Sequence, residues 1–401
     1  MTRRASPSGR PFTHLLRANA LSAVGTGMTT AAMPLLASIR PPSELLLGII
    51  AAAGLAPGLL LAVPAGMLAD RYDRSRVLVL ADVARAVVMA VGAVALIVGD
   101  LPGAALAVIT FLIGAGETVF VTASQSAVPS YVPPSELDHA NSRLQVVDDV
   151  GREFVGPPLG SLVFRIGTAL PFVVDMVSYV VSAVLLTRLP AAAPRPMEHE
   201  RASVSMAPAW AFFRRSRPLV VLASAMFILS LSGSGVIAML VLVVTERLHL
   251  DRGWFGAMLT VIAIGATLAG LLTGRLRTRL SARSAMAAAV LLNGVSYIAL
   301  GTTHWWPVAV VALFAWGFAV TLGNITSVGI RQRMIRADLM GRVMGLFRTA
   351  LGAGGVIGAL GAGVLAGATS VGTVAVLAGA LQLPVVIAVS LALPGDDASA
   401  S

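Results

Sequence analysis

GMLADRYDRSR, at Gly66–Arg76, places Asp70 and the arginines Arg71, Arg74 and Arg76 between two long apolar segments. Ala51–Ala69 carries no charge before it, and Val77–Val98 carries only Asp82 and Arg85 after it. Charges packed this densely are too costly to leave in hydrocarbon, so the run reads as a tight turn at a membrane face. Positive charge in short loops marks the cytoplasmic side, and that assignment sets the sidedness of every other loop.

Working outward, the 401-residue chain is 57% hydrophobic and 12% charged, with a mean hydropathy of +0.86, more apolar side chain than a soluble core of this size hides. A bilayer core of about 30 Å needs about 20 apolar residues per helix. Segments of that length recur, at 15–38, 45–69, 77–98, 104–128, 144–164 and 169–189, then at 219–244, 255–272, 284–301, 306–328, 343–366 and 371–393. The fold class expected is therefore an all-α membrane protein with 12 transmembrane helices. A β-barrel would show short alternating segments instead.

The hydrophilic composition of 190–217 divides these spans into two bundles, 15–189 and 218–393. A tail at 1–14, with no signal-peptide pattern, and another at 394–401 complete the organisation, both expected in the cytoplasm. All 29 basic residues are arginine, which makes the orientation testable by count. The segments expected inside, counted with the helix ends beside them that carry Arg17 and Arg188, hold 22 of them, those outside only Arg40, Arg165, Arg247 and Arg252, and Arg85, Arg152 and Arg348 fall deeper within helices. Dropping one helix would invert every later loop and destroy this bias. The net charge of +10 is thus a membrane-orientation signal and no sign of a nucleic-acid partner. With no cysteine, disulfides, thiolate metal sites and cysteine nucleophiles are excluded.

The residues Gly66, Leu68, Ala69, Asp70, Arg71, Arg74 and Arg76 resemble the signature between helices 2 and 3 of the major facilitator superfamily. Asp73 stands where that family usually has glycine, and Ser75 where it often has a second basic residue. A weak echo, Gly270, Gly274 and Arg275, follows helix 8, and Arg152 with Gly156 in helix 5 is echoed by Arg348 with Gly352 in helix 11. The resemblance implies two pseudo-symmetric six-helix bundles around a central substrate path, the arrangement of parallel repeats. It extends over nearly the whole chain, and the stretches VPPSELDHANSR and AWAFFRRSRPL resemble the branch containing macrolide, multidrug and enterobactin exporters.

That resemblance assigns expected roles. Gly156-Pro157-x-x-Gly160 is similar to the helix 5 motif of the family's proton-coupled exporters, with Ser161 replacing its last glycine. Pro157 bends the helix and the glycines admit a neighbour closely. Asp70 would help lock the outward-facing state through contacts near residues 341–345, the N-terminus of helix 11, where a carboxylate is favoured. Helices 1, 4, 7 and 10 would line the cavity, which offers Asn19, Thr26, Met28, Thr29, Met33, Phe120, Phe227, Met239, Trp316, Phe318 and Asn324. Such a methionine- and aromatic-containing pocket suits amphipathic molecules better than sugars.

Ionisable residues at membrane depth are costly and mark function. Asp148 and Asp149 are four and three residues from Arg152, and Asp82 is three from Arg85, so both sets can pair on one helical face. Glu117 lies mid-helix with no cation within four residues, and Asp175 is similarly isolated. An isolated carboxyl suits reversible proton binding, because leaving water disfavours its charge. We expect Glu117, with Asp149, Glu153 or Asp175 as partner, to bind the coupling proton and Arg152 to tune it.

These features together read as a plasma-membrane secondary transporter that works as a monomer and exports a hydrophobic or amphipathic small molecule in exchange for protons. An importer or facilitator of a metabolite would share the fold, and a membrane sensor or enzyme is a further alternative. No phosphate-binding loop is present, and His14, His139, His199, His249 and His304 show no metal spacing, so neither a cofactor nor a metal is expected.

Overall fold

The computed structural model describes residues 9–39, 43–99, 101–191, 206–277, 279–336 and 338–393. Most of the expected N-terminal tail, the linker between 192 and 205, the C-terminal tail and Arg40 lie outside them. Among the described residues the protein is helical, without strands. In chain order the helices are α1 (Gly9–Ala37), α2 (Glu44–Leu60), α3 (Ala62–Arg71), α4 (Arg74–Val98), α5 (Gly103–Ala127), α6 (Leu137–Asp149), α7 (Gly156–Ile166) and α8 (Leu170–Leu186). They continue with α9 (Ala207–Arg215), α10 (Arg217–Leu242), α11 (Trp254–Arg277), α12 (Ala282–Thr302), α13 (Trp306–Met334), α14 (Met340–Ala368), α15 (Val371–Ala380) and α16 (Gln382–Ala392).

Nine stretches among the described residues are long and apolar enough to cross a membrane, and the bent pair α2 and α3 makes a tenth. The two other expected spans are α8, 17 residues long, and helix 5, formed by α6, a π-helical stretch at Val150–Val155, and α7. Helix 5 carries too many ionisable residues to count as apolar. Helix 2, expected over 45–69, is broken in two, α2 and α3 meeting at Leu61 with a bend of 50°. Pro64 cannot donate to the carbonyl of Leu60 and disfavours helical backbone just before it, which accounts for the break.

The organising stretch is also less of a turn than its charge implies. Gly66–Arg71 completes α3, Arg74 opens α4, and only Tyr72 and Asp73 connect them. Asp73 is the N-cap, accepting from the Ser75 amide at 2.9 Å and the Ser75 hydroxyl at 2.7 Å. An aspartate satisfies the orphan amides of a helix start, a task for which glycine has no side chain.

The chain divides into two compact units, Met1–Arg40 with Ala53–Ala202, and Pro41–Ala52 with Ser203–Ser401. The first unit is built on Leu15, Leu78, Phe120, Val128 and Leu186, and the second on Leu219, Met226, Met286, Val290 and Phe347. In the first, α1 lies so close to helix 5 that a Cβ on Gly156 would come within 2.6 Å of the Gly27 Cα, and one on Gly160 within 2.6 Å of the Met28 Cα. The second repeats the arrangement: a Cβ on Gly354 would stand 2.5 Å from the Phe227 carbonyl of α10, and one on Gly358 would be 2.7 Å from the Leu231 Cα. Each unit thus seats its first long helix on the helix that carries an Arg-x-x-x-Gly, with glycines four residues apart at the contact.

Candidate functional site

Five ionisable residues of the first unit, Asp82, Arg85, Glu117, Asp148 and Arg152, form one chain across its helices. Arg85 of α4 pairs with Asp82 on its own helix and with Glu117 of α5. Glu117 pairs in turn with Arg152 of the π-helical stretch, and Arg152 reaches Asp148 at 3.1 Å. Asp82 and Arg85 are fully buried, Glu117 largely so. The Arg85 guanidinium is sandwiched between the rings of Phe120, 4.5 Å to the centroid, and Tyr179, 4.4 Å. This is the cation–π geometry that supports a desolvated charge. A Cβ on Gly116 would meet the Arg85 stem at 2.6 Å, so the absence of a side chain there makes room for it.

Glu117 is therefore not the isolated carboxyl expected from sequence. Its two cations lie 32 and 35 residues away on other helices, and it bridges them. Three carboxylates, Asp82, Glu117 and Asp148, face two guanidiniums, so the chain has one acid in excess.

Asp175 of α8 is the carboxyl that matches the expectation. It is fully buried, accepts from the Thr29 hydroxyl at 2.6 Å and the Ser178 hydroxyl at 3.1 Å, and pairs with no guanidinium among the described residues. A hydroxyl donates to a carboxylate or accepts from a carboxylic acid, so these partners satisfy Asp175 in either state. Gly25 of α1 makes room, since a Cβ there would collide with an Asp175 oxygen and the Ser178 hydroxyl. Four residues after Asp175 along α8, the Tyr179 hydroxyl shares a 2.9 Å hydrogen bond with that of Thr26, and the Tyr179 ring lies under the Arg85 guanidinium.

A cavity of about 290 Å³ opens at the Asp148 end, lined by Asn19, Ser124, Gln125, Asn141, Gln145 and Asp148 with Val121 and Leu144. Asn141, Gln145 and Asp148 share one face of α6, whose start, before residue 144, the preceding prolines disguise as loop. Their spacing of four and then three residues was the available signal.

The remaining expected residues fall in several places. Asp149 accepts from Gln145 at 2.7 Å, and Glu153 is exposed. Among the cavity candidates, Asn19 lines the polar cavity, whereas Phe120 and Thr26 belong to the Arg85 and Asp175 arrangement. Met28, Met33 and Met239 are buried, Trp316 is buried edge-on to Tyr297 at 5.2 Å, Phe227 is half-buried and Asn324 is exposed. Asp70 is half-buried at the end of α3, Arg74 is buried, Arg71 and Arg76 are exposed, and a Cβ on Gly66 would meet nothing within 4 Å. Pro157 opens α7. Arg331, expected in a loop, lies on α13 and is 6% exposed, its guanidinium over the Phe347 ring at 4.7 Å.

A family model described as Major Facilitator Superfamily matches residues 15–358 and 222–401. The enterobactin exporter EntS of Citrobacter koseri is 24% identical over 302 residues, covering 73% of this chain and 70% of that protein. The uncharacterized MFS-type transporter YkuC of Bacillus subtilis is 26% identical over 294 residues, covering 70% and 68%. Among solved structures, the nucleoside transporter NupG aligns with a TM-score of 0.77 at 12% identity over 94% of this chain and 98% of its own. A bacterial homologue of the iron transporter ferroportin, in the inward-facing state, aligns at 0.75 and 18% identity over 97% and 100%.

Proposed function

We propose that this chain, which belongs to the major facilitator superfamily and is a multi-pass membrane transporter, exports an amphipathic small molecule in exchange for protons. The observation that carries the reading is the buried chain of acids and guanidiniums in the first unit, with its surplus carboxylate and with Asp175 bonded, among the described residues, by hydroxyls and no guanidinium. Similarity to enterobactin exporters supports the outward direction.

In this reading Asp175 is the proton carrier. Proton uptake there removes a negative charge one helical turn from Tyr179, whose ring supports Arg85. Arg85 then rests more fully on Asp82 and Glu117, and Arg152 shifts its share toward Asp148 at the rim of the polar cavity. The substrate's polar end occupies that cavity, where side-chain amides and hydroxyls give and accept hydrogen bonds, and its release accompanies proton uptake. Glu117 and Arg152 relay the charge change, a different task from the one the sequence assigns them. Asp70 with Arg71, Arg74 and Arg76 forms the gate, and both termini lie in the cytoplasm.

An accumulation assay tests this. Cells expressing the protein should retain less of an amphipathic substrate, from a panel of macrolides, dyes and siderophores, than cells without it, and a protonophore should abolish the difference. A difference that survives the protonophore would refute proton coupling.

A further inference from the structure

A second cavity, of about 740 Å³, lies in the first unit, walled by α3, α4 and α5 and running from Leu61 to Tyr72 along α3. It exists because helix 2 breaks at Leu61, and because its floor is made of Ala81, Ala84, Ala115 and Gly116, residues too small to fill it. Along α4 its lining extends from Arg76 to Val88, about 18 Å at 1.5 Å per residue. That is close to one leaflet, half of a hydrocarbon core of about 30 Å.

The mouth of this groove is cationic. Arg76 is exposed and pairs with no carboxylate among the described residues, and Arg71 lies over the ring of Tyr72, another lining residue, at 5.9 Å. The one carboxylate in the lining, Asp73, is engaged by Ser75 at the start of α4. An apolar slot one leaflet deep, with two guanidiniums and an amphipathic aromatic at the membrane face, has the chemistry of a lipid with a negative head group.

We infer that this groove is a binding site for one anionic phospholipid, with an acyl chain along the α4 and α5 walls and its phosphate on Arg76 and Arg71. The bound chain lies against Arg85 and Gly116, so the lipid touches the ion chain from outside the substrate path.

Native mass spectrometry of the detergent-purified full chain tests this with phosphatidylglycerol and phosphatidylcholine of identical acyl chains, each added alone. Phosphatidylglycerol should be retained more tightly, and Arg76→Gln and Arg71→Gln should each lower its retention about fivefold, toward the phosphatidylcholine level. Ala84→Trp, at an exposed position of the floor, should displace the acyl chain and lower retention of both lipids. Equal retention of the two lipids by the unaltered protein, or unchanged phosphatidylglycerol retention in Arg76→Gln, would overturn the head-group assignment. Unchanged retention in Ala84→Trp would place the lipid elsewhere. None of these readouts involves transport, so they stand or fall apart from the export reading.

Discussion

At the scale of single residues, the two deeply placed acids Glu117 and Asp175 look alike in sequence and are opposite in structure. Glu117 holds two guanidiniums together, and removing its charge leaves both without their common partner. Breaking a buried ion pair by deleting one member costs about 3–5 kcal/mol. Glu117→Gln should therefore lower the yield of folded protein and its thermal unfolding temperature in detergent, before transport is considered. Asp175→Asn keeps the shape and can still bond Thr29 and Ser178, so we expect near-normal folding with proton-driven substrate accumulation in inverted vesicles reduced to the level of empty ones. Gradient-driven accumulation that persists in Asp175→Asn would move the coupling proton to another acid. The sequence showed that the helices of the first unit carry acids within their spans, but not how those acids pair. Arg85 and Arg152 reach Glu117 from other helices, and helices that are apolar nearly all round do not reveal which way each is turned.

At the scale of elements, apolar length located the helices well, while charge and proline obscured their ends. The prolines before α6 and its polar composition masked a helix that begins at Leu137, so Asn141 went unread. The helix 5 glycines were legible as packing positions, and the structure supplies their partner, the backbone of α1. Gly160→Val should be strongly destabilising, by at least the 1–3 kcal/mol or so of an overpacked core, since its side chain would drive into the backbone of Met28. Gly358→Val should behave alike against Leu231, whereas Gly361→Val, on the same helix as Gly358 with nothing within 4 Å, should unfold near the parent temperature. Equal unfolding temperatures for Gly358→Val and Gly361→Val would deny the close contact.

For the whole molecule, the absence of cysteine offers a direct measurement of orientation, because any single introduced thiol is the one that reacts. Tyr72, half-exposed beside the arginines of the organising stretch, and His304, exposed between α12 and α13, are expected on opposite faces. In intact cells a membrane-impermeant maleimide should label His304→Cys, and Tyr72→Cys only after lysis. The reverse pattern would invert the topology and carry the cationic mouth of the groove to the outer leaflet. The compositional break at 190–217 gave no sign that Pro41–Ala52 groups with the second unit. A carbonyl of its first turn, that of Glu44, approaches the Gly363 position of α14 to 2.7 Å from where a Cβ would stand. No hydropathy profile carries such a contact.

The π-helical stretch at Val150–Val155 has one last implication, for comparing sequences of unequal length. A π turn holds one residue more than an α turn, so helix 5 owes its aim to an insertion. A natural relative with one fewer amino acid here would have its segment after residue 155 swung by about 100°, and identical letters at Gly156 and Gly160 would then point at different neighbours. Counting indels in this half-dozen positions therefore says more about shared mechanism than counting matches.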